Sequence, residues 1–276
     1  MPFFAPSLGW TAHLLKKQGV KIISILHNVI PHEKRFFDRT LTKFFLNQCD
    51  GFVLLNSVSE KDLLSFNTNS KYIIHPHPIY DHYGDQENQS DTKRKLNIPD
   101  NKKTILFFGF IRDYKGLDLL IDAVSKLNDE YVLIIAGEAY ASFEKYNRQI
   151  ENLGIQNRIS LHVKYISDDE VSLFFSSSDV CVLPYKSATQ SGITSIAYHF
   201  NLPLIATDTG GLNESILHEK TGLIVESPDA NLLAKSIEYY FSHNLKPKFQ
   251  EEIKLLKSKL SWNSLADAII DFSKSL

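Results

Sequence analysis

The chain has 276 residues, 43% hydrophobic and 22% charged, enough to bury one large core or two of ordinary size. Its 30 basic and 32 acidic residues leave a net charge of −2, which excludes a general electrostatic footprint for nucleic acid and makes any anion site local. No run reaches the ~18 apolar residues of a membrane span. The two cysteines, Cys49 and Cys181, lie far apart in or beside apolar runs, the pattern of buried thiols in a reducing cytoplasm rather than of a disulfide or a metal site.

The opening, MPFFAPSLGW, lacks the basic start and continuous apolar core of a signal peptide. Its Phe- and Pro-rich composition reads like the interior of a protein. Val20–Leu26 is a short β-branched run that predicts a buried strand, residues 33–47 carry apolar side chains at helical spacing, and Gly51–Leu55 is a second apolar strand. A short helix over Ser59–Ser65 and a strand over Tyr72–His75 complete a βαβαβ pattern, which favours parallel pairing with helices on the sheet faces. The stretches Trp10–Gln18 and 34–47 set basic residues beside aromatics, which suits a solvated face or docking at a membrane interface equally.

From His77 to Asp100 the composition turns polar and poor in aliphatic residues, so 79–100 is expected to link two domains and to hold a short helix near Thr92–Leu96. Strand–helix alternation then resumes. Strands are predicted at Lys103–Phe108, Tyr131–Ala136, Ile159–His162, Val180–Leu183, Pro203–Thr207 and Gly222–Val225. Helices are predicted at Gly116–Leu127, Ser142–Leu153, Asp168–Ser177, Gly192–Phe200 and Asn213–His218, with Asn231–Asn244 and Phe249–Leu276 helical at the C-terminus. Six strands with intervening helices describe a doubly wound parallel sheet, a Rossmann-like domain over 101–245. Residues 246–276 are expected to pack back toward a first domain spanning 1–78.

In such a sheet ligands sit outside the carboxyl ends of the strands, and three loops there carry suitable residues. Gly109-Phe-Ile-Arg-Asp-Tyr-Lys-Gly116 offers a glycine at each end, with Arg112 and Lys115 as a forked donor and a point charge beside a helix N-terminus. Together they suit a diphosphate, although read alone the loop is equally a solvated turn. It is neither a Walker A loop nor a G-x-G-x-x-G fingerprint, and the absence of the latter disfavours an NAD-dependent oxidoreductase. Residues 184–193, PYKSATQSGI, lead small and hydroxylic side chains into a helix whose free N–H groups can cradle phosphate, or which Ser191 or Thr189 simply caps. Thr207–Glu214 places Gly210 and Gly211 at a strand end, with Glu214 in the first helical turn to accept from sugar hydroxyls or to complement the helix dipole.

The three loops, in this order and at this spacing, resemble the donor domain of GT-B-fold glycosyltransferases of family 4. The family's motifs fall collinearly on Gly109–Gly116, Leu133–Glu138, Ile159–Val171, Val180–Tyr185, residues 187–197, Asn201–Glu214 and Lys220–Val225. The resemblance implies an α/β fold of GT-B type, with a complete C-terminal Rossmann-like domain and a partial N-terminal one. It implies retaining transfer of a sugar from a nucleotide-diphosphate donor to a glycan or lipid-linked acceptor in surface polysaccharide assembly. No cofactor and no metal is expected. The place of work would be the cytoplasm, with peripheral contact to the inner face of the membrane.

Carried over residue by residue, Lys115 and Arg112 neutralise the departing diphosphate, and Gly109, Gly116, Gln190, Ser191, Gly192, Ile193, Gly210, Gly211 and Glu214 hold the donor. Within Ile25-Leu-His-Asn-Val-Ile-Pro-His-Glu33, His27 matches the catalytic-site histidine of the acceptor domain, and His32 and Glu33 line the same edge. A histidine satisfied by its neighbours reads equally well from the residues alone. The proline turn argues against a metal site in this His-x4-His-Glu set.

The chain departs from the family in several places. Phe110 stands where the arginine usually follows the first glycine, and Ala188 and Ile196 stand where two glutamates are usual, with Gln190 and Ser191 as the nearby polar residues. About 75 residues precede the expected linker, short for a full sheet, so a truncated or split reading frame is expected. Two other functions compete: a non-catalytic nucleotide-sugar-binding remnant or partner subunit, and a sugar-nucleotide epimerase, which lacks a convincing pair of acid and base groups here.

Overall fold

The computed structural model describes residues 4–30, 37–66, 71–80, 82–188, 191–257 and 259–276. The chain divides into two compact units, one formed by residues 1–78 and 260–276, the other by 79–259. The stretch 79–100, expected as a linker, is thus grouped with the second unit.

In the first unit the elements run α1 (Ala5–Lys17), β1 (Ile23–Leu26), α2 (Asp38–Leu46), β2 (Gly51–Leu54), α3 (Ser57–Leu64) and β3 (Tyr72–Ile74). The strands pair in parallel in the order β1-β2-β3. Val53 and Leu54 are fully buried, as a strand covered on both faces must be. Asn56 ends the β2 turn and caps α3 by accepting from the Ser59 N–H at 2.8 Å.

The second unit begins with α4 (Gln89–Lys95) and continues β4 (Lys103–Phe108), α5 (Leu117–Ser125), β5 (Tyr131–Ala136), α6 (Glu144–Asn152), β6 (Ile159–His162), α7 (Asp168–Ser176), β7 (Val180–Leu183), α8 (Gly192–His199), β8 (Leu204–Thr207), α9 (Leu212–Ser215), β9 (Gly222–Val225), α10 (Ala230–Ser242) and α11 (Leu245–Lys257). All neighbouring strands are parallel, in the order β6-β5-β4-β7-β8-β9. Chain order therefore runs outward from β4 in one direction and then, from β7, in the other. That arrangement is the doubly wound topology, and its switch point lies between β4 and β7.

Ile105, Phe107, Leu133, Ile135 and Val182 pack with Leu120, Val124 and Ile237 of α5 and α10 in a core of residues at most a few per cent exposed. The opposite face is closed by Phe108, Phe174, Phe175 and Phe200, with the Phe175 and Phe200 rings stacked at 5.4 Å.

The C-terminal helix expected over Phe249–Leu276 is broken. α11 ends at Lys257, and α12 (Trp262–Ser275) starts anew where the Ser261 hydroxyl accepts from Ser264 N–H at 3.1 Å. α11 is grouped with the second unit and α12 with the first. Among the described residues no helix is long and apolar enough to cross a membrane.

Candidate functional site at the strand switch point

The loops after β4 and β7 leave the same edge of the parallel sheet on either side of the switch point. After Phe108 the chain turns through Gly109, whose φ of +93° lies in the left-handed region that favours glycine. Residues Asp113–Lys115 then form a single 3-10 turn, and Gly116, at φ +70°, delivers the chain into α5.

Neighbouring strands brace this loop on both sides. A Cβ on Gly137, after β5, would stand 2.1 Å from the Gly109 carbonyl oxygen, so glycine alone allows that approach. Ile111 N–H donates to Glu138 O at 2.8 Å and Tyr140 N–H donates to Ile111 O at 3.3 Å. On the β7 side, Lys186 N–H donates to Tyr114 O at 2.7 Å, and the Lys186 ammonium pairs with Asp118 at 2.6 Å. Lys145 forms an ion pair with Asp113 on the outer face.

Two cations point from this frame. The Arg112 guanidinium lies 4.3 Å over the Tyr140 ring centroid. Lys115 is 8% exposed, its ammonium 5.6 Å from the Tyr185 ring centroid and 3.4 Å from where a Cβ on Gly109 would lie. Among the described residues no carboxylate, carbonyl or hydroxyl pairs with that ammonium. Burial, and secondarily the Arg112 charge, lower its pKa to about 8. A buried cation without an acceptor is costly for a fold to keep, and it stands where ligands bind in this topology.

The N-terminus of α8 completes the edge. Ser191 is its cap, accepting from Ile193 N–H at 3.3 Å, and the Ile193 side chain comes within 3.2 Å of the position a Gly109 Cβ would take. The first residue, Gly192, is exposed, so the positive end of the helix is accessible to an anion. One strand further on, Thr207 is buried and donates to Tyr185 O at 2.6 Å. Gly210 at φ +58° turns the chain into α9, where Glu214 is exposed.

Of the residues singled out in the sequence, the structure brings Gly109, Arg112, Lys115, Gly116, Ser191, Gly192 and Ile193 to the switch point, with Gly210, Gly211 and Glu214 at the adjoining strand end. Gln190, His32 and Glu33 lie outside the described residues. His27 is in the first unit, at the end of β1, its ring 5.5 Å from that of His77, which in turn meets Trp262 edge-on at 6.1 Å. Burial, and then His77, lower the His27 pKa below its ordinary 6.5.

Two residues of the site were not singled out in the sequence. Gly137 sits inside the recognised Leu133–Glu138 segment, and its spacing after the strand was the available signal. Tyr185 ends the recognised Val180–Tyr185 segment and lies in the 184–193 loop, but neither placement gave its side chain a task. Among the described residues no group of three or more His, Cys, Asp or Glu is placed to hold a metal ion. The arrangement can hold a polyanion by a buried ammonium, a guanidinium and a helix N-terminus acting together.

Comparisons with known proteins agree with this architecture. HepE from Anabaena, crystallised with UDP, superposes with a TM-score of 0.83 at 16% identity, covering 99% of this chain and 77% of that one. WaaG, a glycosyltransferase involved in lipopolysaccharide biosynthesis, superposes with a TM-score of 0.72 at 16% identity over 95% of this chain and 80% of that one. The fold is of the GT-B type. An uncharacterised glycosyltransferase of Methanocaldococcus jannaschii is 28% identical over 233 residues, 79% of this chain and 63% of its own length. The D-inositol 3-phosphate glycosyltransferase of Corynebacterium urealyticum is 24% identical over 70% of this chain and 48% of its own length. The chain thus spans between about half and two thirds of these curated relatives. The family model for glycosyl transferases group 1 matches residues 88–254, which takes in more than half of the chain and all three loops of the switch-point edge, and the chain belongs to that family.

Proposed function

We propose that this chain handles the donor in a retaining glycosyltransferase of family 4, moving a sugar from a nucleotide diphosphate to a glycan or lipid-linked acceptor in surface polysaccharide assembly, with no metal ion in the transfer. The observation that carries the reading is the Lys115 ammonium: 8% exposed, without a carboxylate partner among the described residues, at the switch point of the sheet. A departing nucleoside diphosphate supplies the missing negative charge, and it does so most fully as the sugar leaves, when preorganised cations contribute most. Arg112 assists from the mouth of the loop, and the α8 N-terminus holds the second phosphate.

In this reading Glu214 and the Gly210–Gly211 turn meet the sugar, and Gln190 and Ser191 supply the polar contacts that two glutamates make elsewhere in the family. The roles of His27 at the transferred sugar and of His32 and Glu33 toward the acceptor rest on the family resemblance. UDP is the first nucleotide to try, since it accompanies HepE. Peripheral docking on a membrane is supported by α1, where Trp10 and Leu14 are 61% and 46% exposed beside the exposed Lys17.

A thermal-shift panel of UDP, GDP, ADP and their sugars tests the site. A ligand at about a hundred times its dissociation constant stabilises by ~2.7 kcal/mol, and Lys115→Ala should abolish that shift. A variant that keeps the full shift sinks the placement of the diphosphate. Acceptor-dependent release of free nucleoside diphosphate then separates a transferase from a non-catalytic binder.

A further inference from the structure

We infer that Tyr185 is a positioning residue of this site, serving as the floor under the Lys115 ammonium and as the group that leaves Ser191 with a proton to donate to a bound phosphate. The inference rests on the diphosphate reading of the switch point and assigns a task to a residue that this reading does not use.

Tyr185 is 2% exposed and cannot swing away. Its carbonyl is held by the Thr207 hydroxyl at 2.6 Å. The preceding Pro184 carbonyl lies where a Cβ on Gly116 would come within 1.9 Å. The ring therefore has one place to be, against Lys115 at 5.6 Å on one side and Tyr114 at 6.3 Å on another. The Lys115 distance is within the range over which a ring face attracts a cation. A carboxylate in the same place would neutralise Lys115 and compete with a ligand. A ring steadies the ammonium and leaves its three protons to the anion.

The hydroxyl end is decided by counting protons. Tyr185 Oη and Ser191 Oγ are 3.0 Å apart, and Ser191 Oγ already accepts from Ile193 N–H. A serine oxygen has two acceptor positions and one proton. Suppose Ser191 donated to Tyr185. The tyrosine proton would then have no acceptor among the described residues, in a buried place where an unmade hydrogen bond is costly. With Tyr185 as donor, both lone pairs of Ser191 are filled and its own proton is directed away from the pair. Burial also keeps the phenol protonated, raising its pKa well above the ordinary 10. Ser191, the cap of α8, is thus set as a donor beside the N-terminus that faces the switch point.

The test is a double-mutant cycle read as the dissociation constant of UDP by calorimetry. Tyr185→Phe keeps the ring and should weaken UDP by about tenfold, the scale of one hydrogen bond to a charged group. Ser191→Ala should weaken it by a similar factor, and the double variant should bind no worse than Ser191→Ala alone, because Tyr185 acts through Ser191. Tyr185→Leu, which also removes the floor under Lys115, should bind more weakly than Tyr185→Phe. Ligand-free melting curves check that each variant is folded. If Tyr185→Phe melts early, the contrast between Ser191→Thr, which keeps the hydroxyl and should bind like the wild type, and Ser191→Ala carries the donor arm.

Tyr185→Phe binding like the wild type, factors that multiply in the double variant, or Ser191→Thr binding as weakly as Ser191→Ala each overturn the donor arm. Equal binding by the Phe and Leu variants overturns the floor. Wild-type protein that binds none of UDP, GDP and ADP overturns the diphosphate reading and this inference with it. Binding that depends on Lys115 but ignores Tyr185 removes this inference alone.

Discussion

A Cβ atom on Gly116 would stand 1.9 Å from the carbonyl oxygen of Pro184. The loop after β4 and the loop after β7 touch at this point, so the missing side chain lets the two arms of the switch point close on one another.

The first prediction follows from that contact. Gly116→Ala must bear both a left-handed backbone at φ +70° and a collision with backbone atoms, for an expected loss of about 3 kcal/mol or more. Gly154 offers the comparison, at φ +65° with no atom within 4 Å of where its Cβ would lie, and alanine there should cost about 1–2 kcal/mol. Urea unfolding of the two variants measures the gap. Equal losses would show that the Pro184 contact relaxes freely.

At the other end of the sheet, Asp179 gathers a network. Its carboxylate meets Lys246 at 2.7 Å and Lys93 at 3.7 Å, and it accepts from Thr104 N–H at 2.8 Å and Gln89 Nε2 at 2.9 Å. Burial pushes its pKa upward, but the lysines and the Thr104 N–H outweigh that and hold it below the ordinary 3.8. Asp179→Ala leaves the buried Lys93 uncompensated and should cost about 3–5 kcal/mol. For a carboxylate depressed in the folded state the contribution is present above 3.8 and lost as pH falls below it. The wild type should therefore lose stability relative to Asp179→Asn on acidification below about pH 4, as followed by circular dichroism. Parallel acid profiles would remove the network from the account of stability.

The strands were legible because each is a short apolar run ending in a turn residue. Lys103–Phe108, Tyr131–Ala136, Ile159–His162 and Val180–Leu183 are found with the expected bounds. Helix ends were harder to read. The break between α11 and α12 was signalled by Ser261, but the apolar spacing on both sides ran through it and hid the cap. At the site, Lys115 and Gly109 could be read from a local motif. Tyr185 could not, because its task depends on Lys115, Ser191 and Thr207, which the sequence holds up to 92 positions apart from one another and the parallel order β4-β7-β8 brings together. Gly116 was legible as a turn and illegible as a contact, since nothing in the local sequence names Pro184 as its neighbour.

His27 gives the third prediction. Partial burial and the neighbouring His77 ring both disfavour its protonated form, so at pH 7 the imidazole is neutral and able both to donate and to accept a hydrogen bond. Its NMR titration midpoint should fall below 6.5, and His77→Gln should raise it only part of the way back, because burial is the larger cause. The unfolded chain takes up this proton first, so the stability contribution is lost as pH falls from 6.5 toward the folded midpoint. A midpoint at or above 6.5 contradicts this account.

The final prediction concerns Lys115, where stability and binding pull in opposite directions. Its pKa is about 8 in the folded chain against an ordinary 10.5, so between those values the unfolded state holds more protons and stability rises with pH. At pH 7 the ligand-free protein bears the full cost of a buried ammonium that has no acceptor among the described residues, with a ceiling of roughly 3 kcal/mol. Lys115→Met, which keeps the length and removes the charge, should therefore be more stable than the wild type at pH 7, and the advantage should shrink as pH climbs from about 8 toward 10.5. UDP affinity should do the reverse: nearly flat below pH 8, it should fall by up to tenfold per unit above it, because the free site must first regain its proton. Unfolding and calorimetry across pH 6 to 10 measure both trends. A Lys115→Met variant that is less stable at pH 7 and still binds UDP would mean that the ammonium serves the fold. The opposite pair of results identifies a charge kept, at the expense of stability, for a ligand.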